Sequence, residues 1–425
     1  MAVRGASRCP AGRLCAQRFR QGSQTIAAPM SILLNPAFAL VCYALAIGTA
    51  LLLVRHSPVG GLLDSGAGRR SSIDGLRGYL AFGVVIHHIV IYYPYLRDGT
   101  FDLPDSNLYS QLGRASVAFF FMITSFLFWT KLLETQGRID WKRFAITRLA
   151  RIYPLYLVVL TLVLLIVFQS TDWKLRTAPG ELAASLLGWL TFQRPALNGV
   201  ATPGNLIANV TWTLSYEFFF YIALPAFGVI LLRHTGYMKR IVGLLVVFAL
   251  YKAFGGSSVL KHSILAAFLG GVAAAYWVRH ARCRAISQGR KAAGLAILLL
   301  SYALLARKST FSPLTLVPLT IVFCIIAAGN DLFGALRPRA LRWLGDISYS
   351  TYLLHGLLLW FGLVRLPPLL GLDPTTPGYF LGFTLLAVVA LVPLSSLTYL
   401  LVERPGIAWG KRLGKPNRGA ASLSR

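Results

Sequence analysis

The stretch SSIDGLRGYLAFGVVIHHIV, residues 71–90, places ionisable side chains in a segment that is otherwise apolar enough to cross a membrane. Arg77 and His88 are eleven residues apart. Eleven helical steps return to within about 20° of the same direction, roughly 16 Å further along the axis. Asp74 lies on that stripe one turn before Arg77, whereas His87 points about 100° away from it. Because imidazole exchanges protons near neutral pH, the stripe could carry proton transfer within a cavity or pathway. The alternative is structural: Asp74 and Arg77 form an ion pair at the membrane surface, and His88 bonds a neighbouring helix.

A carboxylate lies inside a second apolar stretch, WTLSYEFFFYIALP, which opens at Trp212 and contains Glu217. Ionisable groups at membrane depth are costly and usually face a cavity or a pathway. Glu217 is therefore a candidate acid–base group, or else a protonated carboxyl group that is simply hydrogen-bonded.

A third stretch, GDISYSTYLLHG, carries Ser348, Tyr349, Tyr352 and His355. Ser348, Tyr352 and His355 follow i, i+4, i+7 spacing, which places them on one helix face. Such a face could line a site, although serine and tyrosine side chains also serve simply to join membrane helices through hydrogen bonds.

Two further segments carry charged side chains at the edge of an apolar stretch. ITRLARIYPLY places Arg148 and Arg151 about one turn apart at the start of an apolar segment, where they are either functional or anchors at the cytoplasmic surface. Near the end, LVERP places Glu403 beside Arg404, which predicts a structural ion pair between these two neighbours.

The elements that carry these residues belong to a membrane. The chain has 425 residues, of which 56% are hydrophobic and only 13% charged, with a mean hydropathy of +0.62, and a soluble protein could not bury that much apolar surface. The net charge of +28 comes mainly from basic residues in short loops, as the positive-inside rule produces, and this argues against nucleic-acid binding. The five cysteines have no metal-site spacing.

The hydropathy pattern predicts an all-α polytopic membrane protein with about ten core transmembrane helices plus one extra N-terminal helix. The short apolar piece 181–193 is predicted to be interfacial or re-entrant rather than spanning. The predicted spans are 32–54, 74–95, 113–131, 152–169, 212–232, 240–254, 260–277, 292–306, 311–328, 345–366 and 380–402.

Orientation follows from the basic loops 132–151 and 278–291, which belong in the cytoplasm, so that the helix carrying Asp74 starts on the cytoplasmic side. The extra helix would then start outside, yet five arginines precede it. We therefore expect translation to start at Met30, or residues 1–29 to be dispensable. The predicted parts are an Arg-rich leader (1–30), the extra helix (31–55), a core domain (72–405) and a basic cytoplasmic tail (406–425).

The order of these motifs resembles the acyltransferase-3 family of integral membrane acyltransferases, from about Ser72 to Pro405. IDGLRGYLAFGVVIHH is similar to the family's opening motif, an arginine, ten residues and a histidine, which selects Arg77 and His88. FAITRLARIYPLY is similar to its paired-arginine motif, WTLSYEFFFYIALP to its Trp-Ser-Leu-x-x-Glu segment, and WLGDISYSTYLLH and LVERP to its last two marks. On the second core span the family usually reads Phe-Phe-x-x-Ser-Gly-Phe, whereas this chain has Thr124 and Ser125 in FFMITSFLF, which adds bulk where helices could approach closely.

The resemblance implies an acyl-CoA donor, most simply acetyl-CoA from the cytoplasm, a hydroxyl acceptor on a glycan or lipid-linked glycan, and a location in the bacterial cytoplasmic (inner) membrane. It implies catalytic roles for His88, Glu217 and Arg77, donor binding by Arg148, Arg151 and Asp74, and supporting roles for Trp212, Ser348, Tyr349, Tyr352 and His355. Glu217 could orient His88 or act as the base itself, transfer could be direct or through an acyl-histidine, and no metal or bound cofactor is implied.

The rival interpretation is a proton-coupled transporter of a small molecule that uses the intramembrane histidine and glutamate. An internal repeat would favour it, and the sequence has none.

Overall fold

The computed structural model describes residues 30–64, 71–232, 236–256 and 259–413. Within these ranges the chain forms helices and the turns between them, and the one β-type contact is an isolated bridge between Leu197 and Val200. The predicted all-α class is therefore confirmed. The predicted leader 1–30, apart from Met30, and the part of the predicted tail beyond Leu413 lie outside the described residues.

The elements follow the predicted apolar segments closely. In chain order they are α1 (Pro36–His56), α2 (Val59–Asp64), α3 (Ser71–Asp98), α4 (Asn107–Glu134), α5 (Trp141–Ser170), α6 (Pro179–Leu190), a 3₁₀ turn (Pro203–Ile207), α7 (Trp212–Leu232), α8 (Tyr237–Ala253), α9 (His262–Trp277), α10 (Ala281–Ser287), α11 (Arg290–Ser301), α12 (Pro313–Ala327), α13 (Arg339–Asp346), α14 (Ser348–Trp360), α15 (Pro377–Thr398) and α16 (Arg404–Leu413).

Seven of the described helices are long and apolar enough to cross a membrane, so the protein is a multi-pass integral membrane protein. For this test α14 extends through a π-helical turn to Leu370, and α15 continues through another into α16. The pair α9 and α10, bent by 108°, would add an eighth as a broken span.

Four predicted spans coincide with shorter helices. These are α8, α9, α12 and the segment formed by α11 with its π-helical extension to Ala306. The first three have 17, 16 and 15 residues. At 1.5 Å per residue each covers at most about 26 Å, less than the roughly 30 Å of a bilayer core. The predicted interfacial piece 181–193 forms the short helix α6.

Local sequence sets where the helix with the paired arginines begins. The Asp140 side chain accepts a hydrogen bond from the backbone N–H of Arg143 at 2.9 Å, which caps α5 at its first turn. Arg148 and Arg151 then follow at the second and third turns of the same helix.

Glycines let helix α13 lie directly against α3. A Cβ added at Gly345 would lie 2.0 Å from the carbonyl oxygen of Asp74, and one added at Gly75 would lie 2.0 Å from the carbonyl oxygen of Leu336. Both substitutions would force backbones apart. The close contact fixes the start of α3, and therefore Asp74 and Arg77, beside the segment that leads into α14.

The bulk added at Ser125 is accommodated by glycines on the facing helix. A Cβ at Gly271 of α9 would lie 2.0 Å from the Met122 carbonyl oxygen and 2.1 Å from Ser125 Oγ of α4. Ser125 is fully buried, and its hydroxyl donates to the Phe121 carbonyl oxygen at 3.0 Å. The close approach that the missing family glycine would allow is therefore provided from α9.

Candidate active site

Arg77 is held at the start of α3 between two neighbours. Its Nη1 lies 3.7 Å from Asp74 Oδ1, and its Nη2 donates to Ser348 Oγ at 2.9 Å. The ion pair between Asp74 and Arg77, one of the two interpretations of the sequence, is present. Ser348, the first residue of α14, adds a hydrogen bond to the same guanidinium group. The guanidinium group therefore has a defined orientation, because two separate elements hold it.

Arg151 is paired with Glu403 rather than left at the surface. Its Nη2 lies 3.8 Å from Glu403 Oε1, and Ser350 Oγ donates to Glu403 Oε2 at 3.1 Å. The Glu403 side chain is fully buried, so its charge needs a nearby cation. The predicted pairing of Glu403 with its neighbour Arg404 is wrong: a carboxylate inside the bundle is balanced by α5, while Arg404 is exposed.

Glu217 on α7 has two hydroxyl partners and one nearby cation. Tyr221, one turn further along α7, donates a short hydrogen bond to Glu217 Oε1, and Thr124 Oγ1 donates to the same oxygen at 3.3 Å. Arg148 lies on the same cavity wall with its guanidinium carbon 5.0 Å from the centre of the Phe128 ring. The idea that Glu217 orients His88 is not supported, since the hydrogen-bond partners of His88 are Val84 and His355.

These groups surround one cavity of about 200 Å³. Its ionisable lining comprises three guanidinium groups and three tyrosines around a single carboxylate, and the rest is largely apolar. The polar lining residues are Arg77, Thr124, Arg148, Arg151, Thr213, Glu217, Tyr221, Ser348, Tyr349 and Tyr352. Such a wall suits an elongated ligand with an anionic end and an apolar arm.

His88 and His355 meet at the far side of Tyr352. His355 Nε2 lies 3.1 Å from His88 Nδ1, and the ring centres are 5.0 Å apart, although the two residues are 267 positions apart in the chain. Tyr352 lines the cavity, and its ring centre lies 6.1 Å from that of His355. The Tyr352 hydroxyl donates to the Val210 carbonyl oxygen at 2.7 Å and lies 2.8 Å from Thr213 Oγ1.

The partners of the two rings assign their hydrogens when both rings are neutral. The Thr351 carbonyl oxygen, 3.1 Å from His355 Nδ1, can only accept, so that nitrogen carries the hydrogen and His355 Nε2 is left to accept. His88 Nδ1 must then donate to it, and the Val84 carbonyl oxygen at 3.0 Å from His88 Nδ1 requires the same. We therefore assign the free lone pair of His88 to Nε2, the nitrogen that a base or nucleophile would use.

His87 has a different environment from His88. Its Nδ1 lies 2.8 Å from the Tyr109 carbonyl oxygen, and its ring packs against Gly113, where an added Cβ would be 2.3 Å from His87 Cδ2. The sequence predicted that His87 points about 100° away from the helix face shared by Arg77 and His88. In the structure His87 accordingly packs on α4, whereas His88 contacts α14.

The structure separates two of the predicted supporting residues. Tyr349 lines the cavity, and its hydroxyl donates to the Ile152 carbonyl oxygen at 2.8 Å, joining α14 to α5. Trp212 does not line this cavity; its ring packs edge-on against Tyr216, 5.6 Å between centres.

Tyr221 and Ser350 were not among the predicted site residues. The i+4 spacing of Tyr221 after Glu217 could have identified it, since side chains so spaced share a helix face. Ser350 could not be found in this way, because its partner Glu403 lies on another element.

Comparison with known proteins identifies the family of the chain. The sequence model of a family described as an acyltransferase domain matches residues 70–396, which contain all of the predicted site residues. The chain belongs to the acyltransferase-3 family. It therefore carries an acyltransferase domain, and the resemblance of the motifs is confirmed.

A similar protein is YrhL of Bacillus subtilis (strain 168), named provisionally as a peptidoglycan O-acetyltransferase. It is 22% identical over 374 residues, covering 78% of this chain and 54% of the relative. The chain thus spans about half the length of this relative. No solved structure matches.

Proposed function

We propose that this acyltransferase-3 protein is a membrane O-acyltransferase. It moves an acyl group, most simply acetyl, from acyl-CoA in the cytoplasm to a hydroxyl of a surface polysaccharide, a lipopolysaccharide or a lipid-linked glycan, in the bacterial inner membrane. The name of the B. subtilis relative supports a glycan acceptor. The observation that carries the proposal is the histidine pair, because it leaves His88 Nε2 unprotonated, and the ring of its partner His355 lies 6.1 Å from that of the cavity-lining Tyr352.

His88 acts as the general base. Its Nε2 takes the proton of the acceptor hydroxyl while the oxygen attacks the thioester carbonyl carbon. The C–S bond then breaks, and the thiolate of CoA takes the proton back from His88 Nε2. The products are the O-acylated acceptor and free CoA. His355 acts as a positioning residue, because accepting the hydrogen bond from His88 Nδ1 keeps the reactive tautomer.

Arg148 and Arg151 bind the phosphates of the donor. One guanidinium group can donate to two phosphate oxygens at once, and partial burial of the Arg148 and Arg151 side chains strengthens such contacts. Arg151 already faces Glu403, so it keeps a fixed direction before the donor arrives. The cavity of about 200 Å³ accommodates the thioester arm, while the nucleotide end of the donor remains at the mouth.

Tyr352 stands between this cavity and the histidine pair. It lines the cavity on one side and packs toward His355 on the other. The thioester therefore reaches His88 past Tyr352, whose hydroxyl is held by Val210 and Thr213. In this arrangement the donor site and the base are joined by one aromatic side chain.

The proposal is tested by mass spectrometry of surface glycans from cells with and without the protein. In parallel, membranes containing the protein are incubated with radiolabelled acetyl-CoA. We expect ester-linked acyl groups on a glycan to disappear without the protein, and label to pass from acetyl-CoA to a glycan with release of CoA. Transport of a solute with no release of CoA would contradict the proposal and favour the transporter.

A further inference from the structure

A second cavity, of about 620 Å³, opens at the opposite end of the bundle from Arg148 and Arg151. It is bounded by the first turns of α7 and α9, the segment after α6, and the first third of α4. None of the residues predicted for the donor or for proton transfer lines it. In the proposed orientation it faces away from the cytoplasm.

The charge of this cavity is one-sided. Three cations line it, Arg114, Arg194 and Lys261, and no acidic residue is among its described lining residues. The Arg114 guanidinium carbon lies 5.7 Å above the centre of the Phe311 ring. Arg194 donates to the Asn209 carbonyl oxygen at 2.6 Å, and loss of hydration by burial lowers its pKa. Cations removed from water without a counter-charge are costly, and an anion bound between them would offset that cost.

Aromatic rings form another part of the wall. Trp212, Tyr216, Phe192 and Phe311 all line the cavity. Flat aromatic faces beside a few polar groups suit the apolar C–H face of a sugar ring, which needs both kinds of contact. The combination of rings and cations is specific to a ring-bearing anion, whereas an inorganic anion would use only the cations.

Helix α7 separates this cavity from the donor cavity. Trp212, Ser215 and Tyr216 line the outer one, whereas Thr213 and Glu217 of the same helix line the inner one. On α4 the cavity wall at Arg114 directly follows Gly113, which packs on the ring of His87. The outer cavity thus reaches the depth of His87, which directly precedes His88 on α3, from the side opposite the donor.

We propose that the outer cavity binds the glycan acceptor through an anionic group on a sugar, either a carboxylate or a phosphate. This rests on the proposed function. The anionic group lies among Arg114, Arg194 and Lys261, the sugar ring packs on Trp212 and Tyr216, and a hydroxyl of the bound sugar is presented toward His88. Neutral glycans of the same size are poor acceptors.

Binding is measured on the purified protein in nanodiscs of phosphatidylcholine without any acyl donor. The probes are a glucuronate-containing disaccharide, its methyl ester and a hexose phosphate. We expect at least one anionic probe to bind, and the ester to bind at least about tenfold more weakly than the acid if the carboxylate is the group recognised. Binding of the hexose phosphate alone would identify phosphate as that group.

Variants assign the site. Arg114→Gln should weaken binding of the anionic probe about tenfold, and Arg114→Lys, which keeps the charge, should weaken it less. Lys261→Gln, at an exposed position of the cavity rim, should weaken it a few-fold. Lys308→Gln, the same change at an exposed position outside the lining, is the matched control and should have no effect.

The proposal is overturned if no anionic probe binds. It is also overturned if the methyl ester binds as well as the acid and the hexose phosphate does not bind. A third contradicting result is that Lys308→Gln weakens binding as much as Lys261→Gln. Acetyl-CoA binding to the same sample is measured separately. If the anionic sugar binds but acetyl-CoA does not, the result contradicts the proposed function and still supports the outer site. If acetyl-CoA binds but no anionic sugar does, the result contradicts the outer site alone.

Discussion

Replacing His355 tests whether the histidine pair sets the reactive tautomer. In His355→Ala the acceptor for His88 Nδ1 is lost, while the Val84 carbonyl oxygen at 3.0 Å remains. One neutral hydrogen bond contributes about 0.5–1.5 kcal/mol, and about 1.4 kcal/mol corresponds to a tenfold change in rate. We therefore expect the rate of acyl transfer to fall about 2–12-fold rather than to vanish.

His355→Gln separates this role from simple packing. The glutamine amide oxygen can accept from His88 Nδ1–H, so this variant should recover much of the rate that alanine loses. His355 is fully buried, so both variants also lower stability, and rates are compared per folded protein after size-exclusion chromatography. The assay is the initial rate at saturating donor and acceptor. Full activity of His355→Ala, or a glutamine variant no better than alanine, would refute the positioning role.

The remaining predictions concern the donor site and the helix contact that replaces the family glycine. Changing both Arg148 and Arg151 to lysine keeps the positive charge but loses the bidentate geometry, so the KM for acyl-CoA should rise about tenfold or more. Membrane orientation, measured by cysteine labelling, should stay normal. An unchanged KM would show that the two residues only anchor the helix at the membrane surface. Gly271→Ala should lower the midpoint of thermal unfolding, because the added Cβ would lie 2.0 Å from the Met122 carbonyl oxygen. The control Gly294→Ala, with open space around the added Cβ, should leave the midpoint unchanged. Equal effects of the two substitutions would show that the α4–α9 contact is not tight.

Much of the site could be predicted from helix spacing. The eleven-residue interval between Arg77 and His88 places both on the side of α3 that meets α14, where Ser348 and His355 follow at matching heights. Two periodic faces that meet in a bundle bring their polar residues together in order, so the order in sequence indicates the order along the contact between α3 and α14.

The partners of buried charges could not be predicted in this way. Glu403 is next to Arg404 in sequence but pairs with Arg151, because the π-helical turn Tyr399–Glu403 and the following helix α16 lie against α5 only in the folded bundle. The hydroxyls of Thr124 and Tyr221 on Glu217 depend in part on the approach of α4 to α7, which no local pattern encodes. The span count was similarly limited, since apolar composition does not fix where a short helix ends.

The most direct test of the central claim compares His88→Ala with His87→Ala in membranes that contain equal amounts of folded protein. The measurement is label transferred from acetyl-CoA to glycan. His88→Ala removes the base and should lower the rate at least about a hundredfold. His87→Ala removes a side chain that packs on α4 and should lower stability while leaving the rate per folded protein close to normal. Full activity of His88→Ala would contradict the account.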